Sequence, residues 1–406
     1  MRKTTLGKIA PNITSGSRGW APYYSDEGAL FLRMTNLPKS GIGLLLHDNK
    51  YVNLPEGSSE GTRTRVRVND ILISITAELG KIGFIHCDLG EAYVNQHVAL
   101  VRVEDPNTDS RYLAHYLASQ PERNRLNRLN DSGAKAGLSL QTINRFPVFL
   151  PPLSEQKAIA DLLSTWDEAI EKTERLIQAK EKWFKSLLND LIHQGRSNHT
   201  WKGFNLSDLC VPVSRKNSEN NTNVLTSSAL NGLVSQIEYY NKSVSAEDVT
   251  GYYLLKKGEF AYNRSSAKGY PYGATKRLDR YEKGVLSTLY LCFALKPDAP
   301  CESDFLLHLF ESGVANRELR AVCQEGARSH GLLNITKGDF FGIKLFLPSQ
   351  EQQKKIQSAL NTAQHEIELL KQLAEKYKNQ KRGLMQKMLT GEWRVKPEIV
   401  NQYMEA

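Results

Sequence analysis

The sequence lacks the signs of several protein classes. Its 406 residues contain no run of 18 apolar residues and no secretory signal peptide, so we expect neither a membrane span nor export, and a cytoplasmic location. The five cysteines are scattered without a Cys-x-x-Cys spacing, which argues against a zinc site or a disulfide framework. We therefore expect free thiols.

Catalytic motifs are missing as well. The sequence has no phosphate-binding Gly-x-x-x-x-Gly-Lys-Ser/Thr loop and no dinucleotide-binding Gly-x-Gly-x-x-Gly after a strand. It also lacks the Asn/Asp-Pro-Pro-aromatic segment of amino-methyltransferases, and Pro297-Asp298 with Glu302 lacks the following Lys of a nuclease site. The nine histidines are dispersed. These absences favour a recognition or scaffold protein that binds no metal and no cofactor over an enzyme.

What the chain does have is an internal repeat. Residues 151–191 align with residues 348–388 at a constant offset, so that Pro151 matches Pro348 and Gln156 matches Gln353. Weaker matches in the same order precede each copy, among them Gly133-Ala134-Lys135 with Gly326-Ala327-Arg328. A duplicated chain predicts a pseudo-twofold organisation. This suits a partner that itself carries two similar sites, and duplex DNA is such a partner.

The repeat divides the chain into alternating globular and helical parts. We expect a first recognition domain over residues 1–150, a helical spacer over 151–195 and a second recognition domain over 196–347. A second helical spacer follows over 348–395, and residues 396–406 form a C-terminal tail. Alternating apolar residues predict strands over Val66–Ile75, His97–Val103, Gly258–Tyr262 and Leu289–Leu295.

Both spacers carry a heptad pattern. Apolar residues recur in alternating steps of four and three over more than four heptads, which is typical of a coiled coil. The apolar seam of the first spacer comprises Ile159, Leu163, Trp166, Ile170, Ile177, Phe184, Leu187 and Leu191. That of the second comprises Ile356, Leu360, Ile367, Leu370, Tyr377, Leu384 and Met388, with Lys381 as its polar position.

The order of the parts sets the direction of the helices. The first runs from domain one toward domain two and the second runs back, so the natural pairing is an intramolecular antiparallel coiled coil. The predicted fold class is α+β, with two mixed α/β domains separated by two long helices in a pseudo-twofold internal repeat. A helix of about 38 residues spans roughly 57 Å, enough to act as a spacer.

Polar loops follow corresponding strands in the two globular domains. Residues 74–81 and 263–270 are rich in the side chains that read base edges. In Arg63-Thr64-Arg65-Val66-Arg67 the three arginines are predicted to share one face of an extended segment, as phosphate contacts require. The formal net charge of +9 is compatible with nucleic-acid binding. The candidate DNA contacts are Arg63, Arg65, Arg67, Ser74, Thr76, Lys81, Lys135, Arg215, Lys216, Asn263, Arg264, Ser265, Lys268, Lys276, Arg277 and Arg328.

The full chain resembles the specificity subunits of type I restriction–modification enzymes. The resemblance is carried by LPPLSEQKAIADLLSTWDEAIEKTERLIQAKEKWFKSLL and its second copy, LPSQEQQKKIQ through GLMQKMLTGEW. It implies two target-recognition domains that each read one half of a bipartite, asymmetric double-stranded DNA sequence, with the helices as a ruler between the half-sites. The second copy departs from the first at its start, where Ser-Gln-Glu-Gln-Gln replaces Pro-Leu-Ser-Glu-Gln.

The resemblance also implies partners. Two copies of the methylation subunit would dock on the chain and supply S-adenosylmethionine binding, and restriction subunits would supply ATP- and Mg-dependent translocation and cleavage. Two alternatives remain at this stage. One is a non-catalytic coiled-coil nucleic-acid-binding adaptor outside restriction–modification, which predicts no bipartite duplex preference. The other is a single-chain methyltransferase or nuclease, which predicts cofactor binding or cleavage by the isolated chain.

Overall fold

The structure is a computed structural model that describes residues 1–129, 137–194, 200–228, 232–240, 248–267, 269–325 and 333–404. The candidates Lys135, Lys268 and Arg328 lie outside these residues. The chain divides into two compact units. Unit 1 comprises Met1–Arg175 with Lys371–Ala406, and unit 2 comprises Leu176–Leu370.

The strands of unit 1 are short and mostly antiparallel. In chain order they are β1 (Arg2–Thr5), β2 (Asn12–Ser15), β3 (Tyr24–Ser25), β4 (Ala29–Leu32), β5 (Tyr51–Val52), β6 (Ile71–Ser74), β7 (Ile82–Phe84), β8 (Ala92–Val94), β9 (Val98–Arg102) and β10 (Pro147–Leu150). Its short helices are α1 (Leu6–Ile9), α2 (Ser59–Thr64), α3 (Ser110–Ala118), α4 (Gln120–Arg128) and α5 (Leu140–Asn144), with 3-10 turns at Ala21–Tyr23 and Met34–Asn36.

Two long helices are each shared by both units. They are α6 (Leu153–Leu188), which continues as a π-helical segment over Asn189–Gln194, and α12 (Gln350–Leu389). The other helices after α6 are α7 (Leu206–Leu209), α8 (Gln236–Tyr240), α9 (Ser303–Glu311), α10 (Asn316–Val322), α11 (Lys337–Gly342) and, in the tail, α13 (Pro397–Asn401).

The strands of unit 2 are also short. They are β11 (Lys202–Asn205), β12 (Cys210–Pro212), β13 (Leu225–Ser228), β14 (Gly232–Ser235), β15 (Tyr253–Lys256), β16 (Phe260–Asn263), β17 (Ala274–Arg277), β18 (Lys283–Leu286), β19 (Leu291–Leu295), β20 (Gln324–Glu325), β21 (Leu333–Asn334) and β22 (Lys344–Leu347).

The sheet topology repeats between the units. Unit 1 contains a four-stranded sheet in the order β2-β9-β6-β7, and unit 2 contains one in the order β12-β19-β16-β17. In each unit the first strand pairs antiparallel with the strand that directly precedes a long helix, β1 with β10 and β11 with β22. The duplication seen in the sequence is therefore also a duplication of strand order.

Each of these two sheets packs against a buried helix because its strands are apolar on the core side. In unit 1 the core joins β6 and β9 to α3, where Tyr112 and Leu113 are fully buried. In unit 2 Phe260 and Phe293 stack with ring centroids 5.2 Å apart, and Phe305 of α9 completes the cluster. Both cores also take residues from the long helices, so the helices are built into the globular parts.

All four predicted strands begin later in the structure than the sequence predicted, by one or two residues in three of them and by five in the first. The predicted strand over Val66–Ile75 begins only at Ile71. Before it, the Asp70 carboxylate accepts a hydrogen bond from the Arg67 backbone N–H at 2.7 Å, and Asn69 adopts a φ of 73°. This turn chemistry interrupts the alternating pattern, because a left-handed residue with a local side-chain bond cannot continue a strand.

The seams of the two long helices are buried as a heptad pattern requires. Every predicted seam position of both spacers is buried or half-buried, and the positions between them are largely exposed. In unit 1 the helices meet through Trp166 and Tyr377, whose ring centroids lie 5.7 Å apart, and through an ion pair between Asp167 and the buried Lys381. The polar seam position predicted at residue 381 thus has a charged partner.

The pairing is antiparallel within each unit. In unit 1 Glu174 pairs with Lys378 at 2.9 Å, and in unit 2 Lys180 pairs with Glu366 at 2.8 Å. Partners closer to the start of α6 lie closer to the end of α12, as antiparallel helices require. The two mixed α/β units and the antiparallel helices agree with the predicted fold class.

A pair of equivalent glutamines anchors the starts of the long helices. The side chain of Gln156 accepts from the Asp109 backbone N–H at 3.0 Å and donates to the carbonyls of Asn107 and Pro151 at 3.1 and 2.8 Å. Gln353, which the repeat aligns with Gln156, makes the same three bonds in unit 2. Both side chains are buried, so each helix start is bonded to its own globular core.

The segment after α12 packs within unit 1. Arg394 pairs with the buried Glu155 through two hydrogen bonds of 2.6 and 2.5 Å, and the Tyr403 hydroxyl donates to Asp161 at 2.6 Å. The described part of the predicted tail, residues 396–404, therefore contains helix α13 and contacts the first turns of α6.

Candidate nucleic-acid interface

Two hairpin loops occupy equivalent places in the repeated sheets. The first loop, residues 75–81, connects β6 to β7, and the second loop, residues 264–273, connects β16 to β17. Most of the base-reading candidates lie in or beside these loops. The structure thus places the two predicted loops at corresponding positions of the two units.

The first loop is held by its own polar groups. The buried Ser74 hydroxyl donates to the Glu78 carbonyl and accepts from the Lys81 backbone N–H, the latter at 2.8 Å. Ala77 and Gly80 adopt positive φ values of 56° and 71°, which allow the tight turns. The Lys81 ammonium pairs with Glu78 and holds the pKa of that carboxyl below its usual value. Ser74 and Lys81 therefore shape the loop, and their polar groups point inward.

Thr76 takes part in a contact that the sequence did not reveal. Its hydroxyl lies 2.8 Å from Nδ1 of His97, and Nε2 of His97 lies 3.0 Å from the side-chain nitrogen of Gln96. Gln96 and His97 belong to the turn between β8 and β9, which adjoins the first loop. The signal that could have found them is the polar run Asn95-Gln96-His97 directly before an apolar strand.

The arginine run before β6 does not have the predicted shape. Arg63 lies in helix α2, where it pairs with Glu60 at 2.6 Å and donates to Thr14 at 2.8 Å. The prediction that three arginines share one face of an extended segment was therefore wrong for Arg63, because Ser59–Thr64 is helical. Arg65 and Arg67 are exposed on either side of the buried Val66, so these two do share a face.

The second loop is also bonded at its start. The Asn263 side chain accepts from the Ser265 backbone N–H at 3.1 Å. The Arg264 guanidinium donates to the Leu289 carbonyl at 2.7 Å, and Leu289 itself is 57% exposed. The backbone carbonyl of Arg264 accepts from Leu333 at 2.7 Å, as that of Ile75 accepts from Leu138 in unit 1.

Lys276 and Arg277 are directed toward internal partners. Lys276 is buried, with its ammonium 2.5 Å from Glu311 and 2.9 Å from the Tyr270 hydroxyl. Arg277 pairs with Asp279 and with Asp304, each at 2.6 Å. Both cations are thus neutralised within unit 2, which does not favour direct contact with phosphate.

Arg215 and Lys216 are also engaged, although closer to the surface. Arg215 forms an ion pair with Glu259, in which its guanidinium donates to both carboxylate oxygens at 2.7 and 2.9 Å. Lys216 donates to the Gly251 carbonyl at 2.6 Å, and its ammonium lies 4.7 Å from the centre of the Tyr253 ring. Their direct role in binding stays a prediction.

The described residues form no metal site, and two buried thiols are held protonated. Among the described residues, no group of three or more His, Cys, Asp or Glu side chains could hold a metal ion. Burial raises the pKa of Cys210 and of Cys292 to about 12, so these thiols stay protonated near neutral pH. No helix in the described ranges is long and apolar enough to cross a membrane.

The chain is similar in sequence to known type I specificity subunits. A family model described as the type I restriction modification DNA specificity domain matches residues 48–181. The MjaVIII type I restriction enzyme specificity subunit of Methanocaldococcus jannaschii is 27% identical, and the alignment covers 96% of this chain and 90% of that protein.

Solved structures show a similar fold. The crystal structure of the type I restriction–modification S subunit from M. genitalium matches with a TM-score of 0.57 at 13% identity, over 95% of each chain. A chain from a structure of type I system assembly and conformational transition matches with a TM-score of 0.50 at 12% identity, over 96% of this chain and 97% of that one. The likeness therefore extends over nearly the whole fold.

Proposed function

We propose that the chain is an HsdS-like specificity subunit of the type I restriction–modification kind and that it selects a bipartite, asymmetric sequence in double-stranded DNA. In this proposal unit 1 reads one half-site and unit 2 reads the other. The long helices set the number of unread base pairs between the half-sites. As in its relatives the chain has a non-catalytic role, and catalysis lies in partner subunits.

The observation that carries the proposal is the repeated sheet with its repeated hairpin loop. A protein that meets two half-sites needs two similar platforms, because each half-site presents the same groove geometry. It also needs different side chains on each platform if the half-sites are to differ in sequence. The first loop carries Thr76 beside His97, whereas the second carries Arg264 beside the exposed Leu289. This contrast supports an asymmetric target.

Electrostatics support DNA as the partner. The formal net charge is +9, and Arg65 and Arg67 expose their guanidinium groups close to the start of β6 in sequence. Exposed arginines fit the role of phosphate contacts, which orient a protein on the duplex without reading its sequence.

The proposal includes partner subunits. Two copies of the methylation subunit are expected to dock on this chain and to bind S-adenosylmethionine, and restriction subunits are expected to use ATP and Mg. This chain is expected to bind none of these cofactors itself. The similarity to a chain from a type I assembly supports such docking. We also propose a cytoplasmic location, where chromosomal DNA is accessible.

The test is to map which DNA sequences are methylated when this gene is present and when it is absent. The gene is co-expressed with its methylation subunit, and N6-methyladenine is mapped by single-molecule sequencing in cells with and without this gene. A methylated motif of two specific parts with a fixed gap, lost when the gene is deleted, supports the proposal. If the complex assembles with an intact methylation subunit and no such motif is found, a scaffold role replaces the proposed one.

A further inference from the structure

The turn between β8 and β9 lies beside the first loop. In the antiparallel register Ser74, the last residue of β6, pairs with Val98, the first residue of β9. The loop that follows Ser74 and the turn that precedes Val98 are therefore at the same end of the sheet. The Ile75 backbone N–H donates to the His97 carbonyl at 3.0 Å and ties the two segments together.

This turn is fixed by its first residue. Asn95 is buried, and its backbone N–H donates to the Leu32 carbonyl at 3.1 Å. The Asn95 carbonyl accepts from Gly16 and Val98, and its side-chain oxygen accepts from the His97 backbone N–H at 3.1 Å. The backbone that carries the next residue, Gln96, is thus held on several sides, which limits the cost of ordering that side chain on binding.

A chain of hydrogen bonds orients the Gln96 amide. Its nitrogen lies 3.0 Å from Nε2 of His97, and a primary amide nitrogen can only donate, so Nε2 must accept. The imidazole proton is then on Nδ1, which donates to the Thr76 hydroxyl at 2.8 Å. This arrangement leaves the Gln96 amide with one N–H and its carbonyl oxygen unused by hydrogen bonds within the described part of the chain.

We propose that Gln96 reads an adenine of the first half-site in the major groove. An adenine edge offers an N6 amino donor and an N7 acceptor, and a glutamine amide meets both with its oxygen and one N–H. Gln96 has these two groups free on a fixed turn. His97 and Thr76 are positioning residues that keep the amide in the reading orientation. The inference rests on the proposed function.

The corresponding turn of unit 2 has different chemistry. Between β18 and β19, Ser287 takes the place of Asn95, because its hydroxyl accepts from the Leu289 backbone N–H at 3.3 Å and its carbonyl accepts from Tyr290 at 3.1 Å. The exposed Thr288 therefore stands where Gln96 stands in unit 1. A threonine side chain has a single hydroxyl group and cannot make the bidentate contact with adenine that the Gln96 amide can make. The adenine-reading role is therefore specific to unit 1 and is not a general property of the repeat.

The experiment measures base preference at single positions. The full chain, co-purified with its methylation subunit, is titrated with duplexes that carry the methylome-defined motif and with variants in which one base pair at a time is replaced. Wild-type protein, Gln96→Ala, Gln96→Glu and His97→Ala are compared at one fixed salt concentration. Gln120→Ala, which removes an exposed glutamine elsewhere in unit 1, is the matched control.

The expected result is a loss confined to one base pair. Wild-type protein should prefer adenine there by about 5- to 150-fold, and Gln96→Ala should reduce this preference to about twofold or less. Replacing that adenine by 7-deazaadenine, which lacks the N7 acceptor, should weaken binding by the wild type and leave Gln96→Ala unaffected. Gln96→Glu should shift the preference toward cytosine, because a carboxylate accepts from the cytosine amino group.

His97→Ala should lower discrimination at the same base pair while leaving the thermal unfolding midpoint and the other base preferences unchanged. Gln120→Ala should behave as the wild type. The inference is overturned if Gln96→Ala keeps every wild-type ratio, or if it weakens all duplexes equally, as the loss of a phosphate contact does. If the wild type itself shows no duplex preference, the proposed function fails and the inference falls with it.

Discussion

The sharpest stability prediction concerns Gln353, the buried glutamine at the start of α12. Its side chain accepts from the Glu302 backbone N–H at 2.8 Å and donates to the Pro300 and Pro348 carbonyls at 2.9 and 3.0 Å. Replacing Gln353 by alanine removes all three bonds while leaving the backbone groups in place. The helix start then loses its side-chain bonds to the core of unit 2.

The size of the destabilisation depends on how deeply the three backbone groups that lose their hydrogen bonds to Gln353 are buried. The Pro348 carbonyl belongs to a buried residue, so it bears most of the cost of an unsatisfied polar group, about 1–3 kcal/mol. Glu302 is half-buried and Pro300 is exposed, so water recovers part of their loss. Together we expect Gln353→Ala to lower the free energy of unfolding by about 2–4 kcal/mol.

Urea unfolding of the purified chain, followed by far-UV circular dichroism, measures this loss. Gln352→Ala is the matched control, because Gln352 is the preceding, exposed residue of the same helix, and it should stay within about 0.5 kcal/mol of the wild type. Gln156→Ala should cost about as much as Gln353→Ala, since Gln156 makes the equivalent bonds. A loss for Gln353→Ala no larger than that of its control refutes the anchoring argument.

Three further predictions concern charged groups. Burial holds the pKa of His115 well below 6.5, so below that pH the unfolded chain binds a proton at this residue and the folded chain does not. The free energy of unfolding should therefore fall by up to about 1.4 kcal/mol per pH unit as the pH drops below 6.5. His115→Gln should flatten that slope in urea unfolding at pH 6.5 and 5.5; an unchanged slope contradicts the assignment. Lys381→Met should cost about 1–3 kcal/mol, because it leaves the partly exposed Asp167 without its ion-pair partner. Adding Asp167→Leu should restore most of this loss, and a double-mutant cycle without such recovery would contradict the pairing. Arg65→Ala should reduce the slope of log K against log salt by about 1 in DNA binding, whereas Arg63→Ala should leave it unchanged because Arg63 is already paired with Glu60. Equal effects of the two substitutions would contradict this difference in pairing.

The helical part of the fold was readable from the sequence because a heptad seam depends on local spacing. Ile159, Leu163 and Ile367 are buried where the seam needs them, and Lys381, the one charged residue at an otherwise apolar stretch of the second seam, has a carboxylate partner. The role of Gln156 and Gln353 was not readable. The repeat aligned them, but their partners lie about 50 residues away in sequence.

The candidate site was only partly predictable, because the fate of a charge depends on distant partners. Lys276 and Arg277 have the composition of phosphate contacts, yet carboxylates on α9, including Glu311, take up their charges. In the sequence Arg63 looks like part of an alternating run, but in the structure it lies in a short helix and pairs with Glu60. Conversely, Gln96 carries no motif, and only the sheet register brings it beside Thr76.

The central claim is that each unit reads its own half of the target, and the most direct test exchanges one unit's recognition domain. Residues 1–150 are replaced by the corresponding residues of another specificity subunit, and the methylated motif of the hybrid is mapped by single-molecule sequencing. We predict that one half-site changes and that the other half-site and the gap stay as they were. A motif that changes in both halves, or in neither while methylation persists, contradicts the account.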